Sequence, residues 1–117
     1  MAETNAFYDR QIEFLENNDV EGMIPSQYNE DAELIAFDFV VKGHDALVAH
    51  FKEYIKGLGY LKLMSTEKFR ETDDSIFFEA TVETAGGTAR VYDVFYMQNG
   101  KISRHWTGLL GFTPKES

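Results

Sequence analysis

A chain of 117 residues, 44% hydrophobic and 15% aromatic, has the size of one domain and is too apolar for the composition of a disordered chain. Twenty acidic against 11 basic residues give a net charge of -9, and the scattered Lys and Arg form no stripe, so nucleic acid is excluded as an expected partner. Absent cysteine excludes disulfides, thiolate metal sites and cysteine nucleophiles; no apolar run reaches membrane-span length and Met1 to Asn5 carries no leader pattern, so no membrane partner and a cytoplasmic location are expected.

From Thr4 to Asn17 the residues Phe7, Tyr8, Ile12, Phe14 and Leu15 recur at helical spacing, with Glu3, Asp9 and Arg10 on the other face. Asn17-Asn18-Asp19 ends this first helix, and Asp19 caps a second one from Val20 that Pro25 keeps brief. Ala32 to Phe37 reads as a short strand. Gly43 then breaks the chain, Asp45 caps a third helix over about Ala46 to Lys56, and Gly57 stands where a left-handed C-terminal residue is wanted. Four long strands follow as an antiparallel meander, Tyr60 to Thr72, Ser75 to Thr84, Thr88 to Met97 and Lys101 to Leu110, separated by turns at Asp73-Asp74, Gly86-Gly87 and Asn99-Gly100. The expected class is α+β, a single domain over 1–117 with an ordered core of about 4–112 and helices segregated from a curved antiparallel sheet.

Strand parity decides which side chains meet. Along Ser75 to Thr84 the apolar alternate set is Ile76, Phe78, Ala80 and Val82. A two-residue Gly86-Gly87 turn sets Ala80 opposite Asp93, so Ala89, Val91, Asp93, Phe95 and Met97 join the apolar face and Asp93 becomes a carboxylate in apolar surroundings. At the next turn, a two-residue Asn99-Gly100 loop sets Asp93 against Trp106, whereas a three-residue Gln98-Asn99-Gly100 loop with a left-handed Gly100 sets it against His105. The three-residue loop is favoured because only its last residue needs a positive φ. Asp93 and His105 would then be direct cross-strand neighbours with Cβ atoms roughly 5 Å apart, a pair able to move a proton. The structural alternative is a buried Asp–His pair that only satisfies its own hydrogen bonds.

The order of elements, Tyr92-Asp93-Val94-Phe95 and the run Asn99 to Trp106 resemble the nuclear transport factor 2 superfamily, especially its SnoaL-like and ketosteroid-isomerase-like branches. Asn18-Asp19, the Tyr28 to Leu34 lead into the first strand and Gly43-His44-Asp45-Ala46-Leu47 add to the resemblance, which covers nearly the whole chain. It implies a cone-shaped α+β barrel, commonly a homodimer, with a pocket between the concave sheet face and three helices. Carried over, Asp93 matches a pocket acid and His105 a pocket-facing position of the last strand. Gln11 stands where steroid isomerases place a tyrosine donor and Ala36 where they place the carboxylate base, so Asp38, two residues on and on the same strand face, is the candidate replacement. Catalytic candidates are therefore Asp93, His105 and Asp38. The implied ligand pocket takes Gln11 and Phe14 from the first helix, Leu34 and Ala36 from the first strand, and His50 from the long helix. From the meander it takes Phe78, Ala80, Val91, Phe95 and Thr107.

No metal or cofactor is expected, since His44 and His50 do not share a helix face. With Asp93 inward, Tyr92, Arg104 and Trp106 point to the convex face, where an aromatic patch would serve a homodimer. Two functions fit: proton-transfer catalysis (isomerisation, dehydration or cyclisation) on a small apolar carbonyl compound, with His105 moving the proton and Gln11 or a pocket tyrosine holding the oxygen, or non-catalytic ligand binding or protein association.

Overall fold

Asn5 opens the first helix, its side chain accepting from the Tyr8 N–H at 2.9 Å, and in the computed structural model, which describes residues 3–116, that helix is α1 (Ala6–Glu16). Asp19 caps α2 (Val20–Gln27) by accepting from the Gly22 N–H at 3.0 Å. The chain then runs directly into β1 (Tyr28–Ile35), four residues earlier than the apolar run suggests. A turn closed by the Ala36 N–H to the Phe39 carbonyl leads to β2 (Val40–Lys42), a strand too short to give a sequence signal. Helix α3 (His44–Leu58) follows; it starts at Gly43 with no side-chain cap, so Asp45 lies in its first turn, and it ends at Gly59 with φ 81°, two residues beyond the expected Gly57. The meander is β3 (Lys62–Glu71), β4 (Ser75–Thr84), β5 (Gly87–Gln98) and β6 (Lys101–Pro114).

These form one open six-stranded sheet in the order β2-β1-β6-β5-β4-β3. The expected all-antiparallel sheet is corrected in one place: β1 runs parallel to β6, which makes the sheet mixed. Helix α1 meets the sheet at β3, and α3 meets it at β1 and β2. The core lies between helices and concave face and centres on Tyr8, Met23, Ile24, Tyr28, Leu47 and Phe95, each at most 1% exposed. No helix among the described residues is long and apolar enough to cross a membrane.

Both register expectations reach the right face by a different route. The β4–β5 turn is Ala85-Gly86, so Thr84 pairs with Gly87 and Asp93 lies opposite Phe78 where Ala80 was expected. A shift of two residues keeps parity. At the β5–β6 turn Gln98 pairs with Lys101, and Asn99 (φ 54°) and Gly100 (φ 80°) are both left-handed, so the loop has two residues and the three-residue expectation is wrong. Parity is nevertheless reset at once, because Ser103 is an extra residue between the pairs Met97–Ile102 and Tyr96–Arg104. His105 therefore stays inward, opposite Phe95, and Asp93 is opposite Thr107. A second extra residue, Leu110, resets the face again beyond Leu109.

Candidate functional site

Asp93 and His105 are diagonal neighbours on adjoining strands, and the imidazole reaches back so that His105 Nε2 lies 2.6 Å from Asp93 Oδ1. The His105 ring is buried, with Phe51 of α3 stacked at 6.4 Å and 25° and Phe95 edge-on at 4.7 Å. Its other nitrogen, Nδ1, is 2.9 Å from the Tyr28 hydroxyl. Tyr28 sits at the α2–β1 junction, fully buried, and burial pushes its phenol far above the ordinary tyrosine range, so it remains protonated. Gln11 Nε2 donates to the same hydroxyl at 3.0 Å; Gln27 Nε2 donates to the Phe7 carbonyl at 3.0 Å and more weakly to Gln11 Oε1 at 3.4 Å.

Donor count gives this chain a direction. The Tyr28 oxygen accepts from the Gln11 amide, so its own proton goes to His105 Nδ1; Nδ1 is then the acceptor and Nε2–H donates to Asp93. The network thus assigns a neutral Nε2–H imidazole. Both ring nitrogens are engaged, which leaves His105 no free atom for a ligand. Asp93 keeps one: its Oδ2 makes no hydrogen bond among the described residues, and its side chain is 14% exposed.

The other expected site residues divide by position. Phe78 and Thr107 pair with Asp93, Leu34 and Phe95 pair with His105, and Val91, two residues from Asp93, shares its face and pairs with Ala80. Gln11 is buried, and one of its two amide hydrogens is committed to the Tyr28 hydroxyl. Phe14 packs on the main core. His50 is half-buried against Phe39 at 4.7 Å, and burial, then the neighbouring His105, hold its imidazole below the ordinary histidine value. Asp38 is a correction: β1 ends at Ile35, so Ala36 and Asp38 belong to the turn before β2, and Asp38 is exposed there with no place on the strand face.

Two depressions are present away from the pair. One of about 440 Å³ is lined by Glu30, Lys42 and the first residues of α3; the other, about 310 Å³, lies between Asn5, Phe7 and the turns at Thr72 and Asn99. Neither touches Asp93 or His105. The concave face beyond the pair is open instead: Leu109, opposite Val91, is 62% exposed, and Tyr54 of α3 is 40% exposed.

Sequence reasoning missed Tyr28, Gln27 and Tyr54. The available signal was polar amide side chains on otherwise apolar faces: Gln11 falls in the Tyr8, Ile12, Leu15 stripe, and Gln27 ends the apolar Met23-Ile24 turn.

No family model and no curated protein matches the chain. Solved structures do. A SnoaL-like family protein from Agrobacterium tumefaciens superposes with TM-score 0.77 at 12% identity, covering 90% of this chain and 95% of that one. A Sinorhizobium meliloti protein provisionally named a polyketide cyclase gives TM-score 0.77 at 14% identity, with the same shares covered. An NTF-2 like protein of unknown function from Burkholderia xenovorans gives 0.75 at 13%, covering 95% and 84%. At such identities likeness speaks for architecture, and the chain has the α+β fold of the nuclear transport factor 2-like and SnoaL-like proteins.

Proposed function

We propose that the protein binds a small apolar carbonyl compound against the concave face of β5 and β6 and that Asp93, through Oδ2, exchanges a proton with it. The observation that carries this reading is the engagement of both His105 nitrogens beside a half-engaged, partly open carboxylate. It reverses the roles expected from the sequence: His105 positions, and Asp93 reacts. In the step, the Asp93 carboxylate takes a proton from the carbon next to the carbonyl, an enolate forms, and the carboxylic acid returns the proton to the same or a conjugated carbon. Isomerisation, dehydration and aldol-type cyclisation share the proton abstraction and differ in the fate of the enolate, which is reprotonated on carbon, expels a β-hydroxyl that leaves as water with the Asp93 proton, or attacks a second carbonyl carbon whose oxygen takes that proton; isomerase and polyketide cyclase are among the names borne by structures of this fold.

The test is proton exchange with 2-tetralone in D2O, followed by NMR. Wild type should exchange the α-protons faster than buffer, and Asp93→Asn should abolish the gain. No acceleration, or equal acceleration by Asp93→Asn, would overturn the reading.

A second reading, association without catalysis, is favoured by one specific observation. Across the convex face Val40, Ile35, Trp106, Val94 and Phe77 form one continuous cross-strand rung, with Val40 61%, Phe77 43% and Trp106 36% exposed. Such an exposed row fits a homodimer contact through that face.

A further inference from the structure

Tyr28 supplies the proton that fixes His105, yet regular sheet pairing does not place it. Between the pairs Tyr28–Ile102 and Glu33–Arg104, β1 advances five residues while β6 advances two, so Asn29 to Ala32 bow out of that ladder and Tyr28 is left as a single contact point at the α2–β1 junction. Its N–H still belongs to the helix and donates to the Ile24 carbonyl.

The two residues that open α3 grip both ends of this excursion. The Gly43 N–H donates to the Ala32 carbonyl at 3.0 Å, and His44 Nε2 lies 2.9 Å from the Tyr28 carbonyl. A carbonyl only accepts, so His44 carries a proton on Nε2 and donates it there. Tyr28 is thus held twice, by its carbonyl to α3 and by its hydroxyl between Gln11 and His105. The His44 ring is half-buried in the wall of the depression of about 440 Å³, beside Glu30 and Lys42 and away from Asp93. It touches no reacting atom.

Resting on the proposed role of Asp93, we infer that His44 is a positioning residue: its bond to the Tyr28 carbonyl keeps the Tyr28 hydroxyl aimed at His105 Nδ1, which keeps His105 a neutral donor to Asp93 Oδ1 and leaves Oδ2 as the base. Without that bond the Tyr28 ring shifts, its proton no longer occupies Nδ1, and the Asp93 carboxylate beside Nε2 favours the imidazolium. An Asp93 paired with a cation is the weaker base. His50 of α3, another imidazole within electrostatic reach of His105, is held neutral by burial and adds no charge.

The experiment compares His44→Leu, which removes the donor, with His44→Gln, whose amide reaches the place of Nε2, and with Asp45→Asn as a control in the same exposed turn. Imidazole 15N spectra and exchange of the 2-tetralone α-protons are recorded at neutral pH, together with the thermal midpoint. His44→Leu should move the His105 Nδ1 signal from the position of an unprotonated nitrogen toward that of a protonated one and lower kcat roughly ten- to a hundredfold with KM unchanged. His44→Gln should restore both, and Asp45→Asn should alter neither. A histidine that only satisfies a carbonyl would lower the thermal midpoint alone. His44→Asn, whose amide stops short of the carbonyl, takes the place of His44→Leu if that variant does not fold. An unmoved His105 signal in His44→Leu, or the same displacement in His44→Gln, would overturn the positioning role. No exchange by wild type, with the His105 signal moved in His44→Leu and restored in His44→Gln, would overturn the base assigned to Asp93 and leave the placement of Tyr28 by His44 standing.

Discussion

Tyr28→Phe removes one oxygen atom and tests the whole internal chain. The hydroxyl accepts from Gln11 and donates to His105, so its loss leaves a buried amide hydrogen and a buried imidazole nitrogen without partners. Each orphan costs about 1–3 kcal/mol, and relief from burying the hydroxyl returns part of it, so a net loss of about 2–4 kcal/mol is expected. For a domain of this size that is a fall in Tm of about 8–16 °C. Tyr8→Phe is the internal control, because that hydroxyl has a single partner, Thr66, and should cost about 1 kcal/mol. Urea unfolding at neutral pH measures both, with unchanged m values expected. Imidazole 15N shifts give a second reading: in wild type the His105 Nδ1 should appear unprotonated and Nε2 protonated, and Tyr28→Phe should disturb that assignment. A loss no larger than that of Tyr8→Phe, together with an unaltered His105 spectrum, would refute the directional chain.

Other outcomes follow from separate features. Gly108→Ala would place a methyl carbon 2.3 Å from the Tyr92 ring, so it should destabilise by about 1–3 kcal/mol in urea melts, and Tyr92→Ala should make the two changes clearly non-additive. Burial holds His50 neutral in the folded state, so the unfolded chain takes up its proton first and stability should fall as pH drops below the unfolded histidine value of about 6.5; His50→Phe should flatten melting curves recorded between about pH 7 and 5. On the proposed convex-face homodimer contact, wild type should sediment as a dimer and Trp106→Lys, in the middle of the rung, as a monomer, with the proton exchange proposed for Asp93 unaffected.

Local signals reached further than long-range ones. Side-chain caps at Asn5 and Asp19 and the two-residue periodicity of the meander act over a few residues, so α1, α2 and the three hairpins were legible. The inward pairing of Asp93 and His105 was reached through a wrong turn, because an extra residue inside a strand has the same effect on parity as an extra residue in a loop, and Ser103 carries no mark of a bulge. The parallel docking of β1 on β6 joins residues some 70 positions apart and leaves no periodic trace, so the place of Tyr28 beside His105 could not be read. Asp38 was chosen because it stands two residues beyond Ala36, the position where the resemblance places a carboxylate base, as though the strand continued; yet Phe37 is fully exposed and the turn has already begun.

Ser103 also makes the last strand unusually sensitive to length. Removing that single residue would send the downstream half through a half-turn about its own axis: the indole of Trp106 would enter the molecule and the imidazole of His105 would leave it. A family descending from this chain could therefore exchange its inside and outside chemistry by one codon lost or gained between Ile102 and Arg104, with every other residue unchanged.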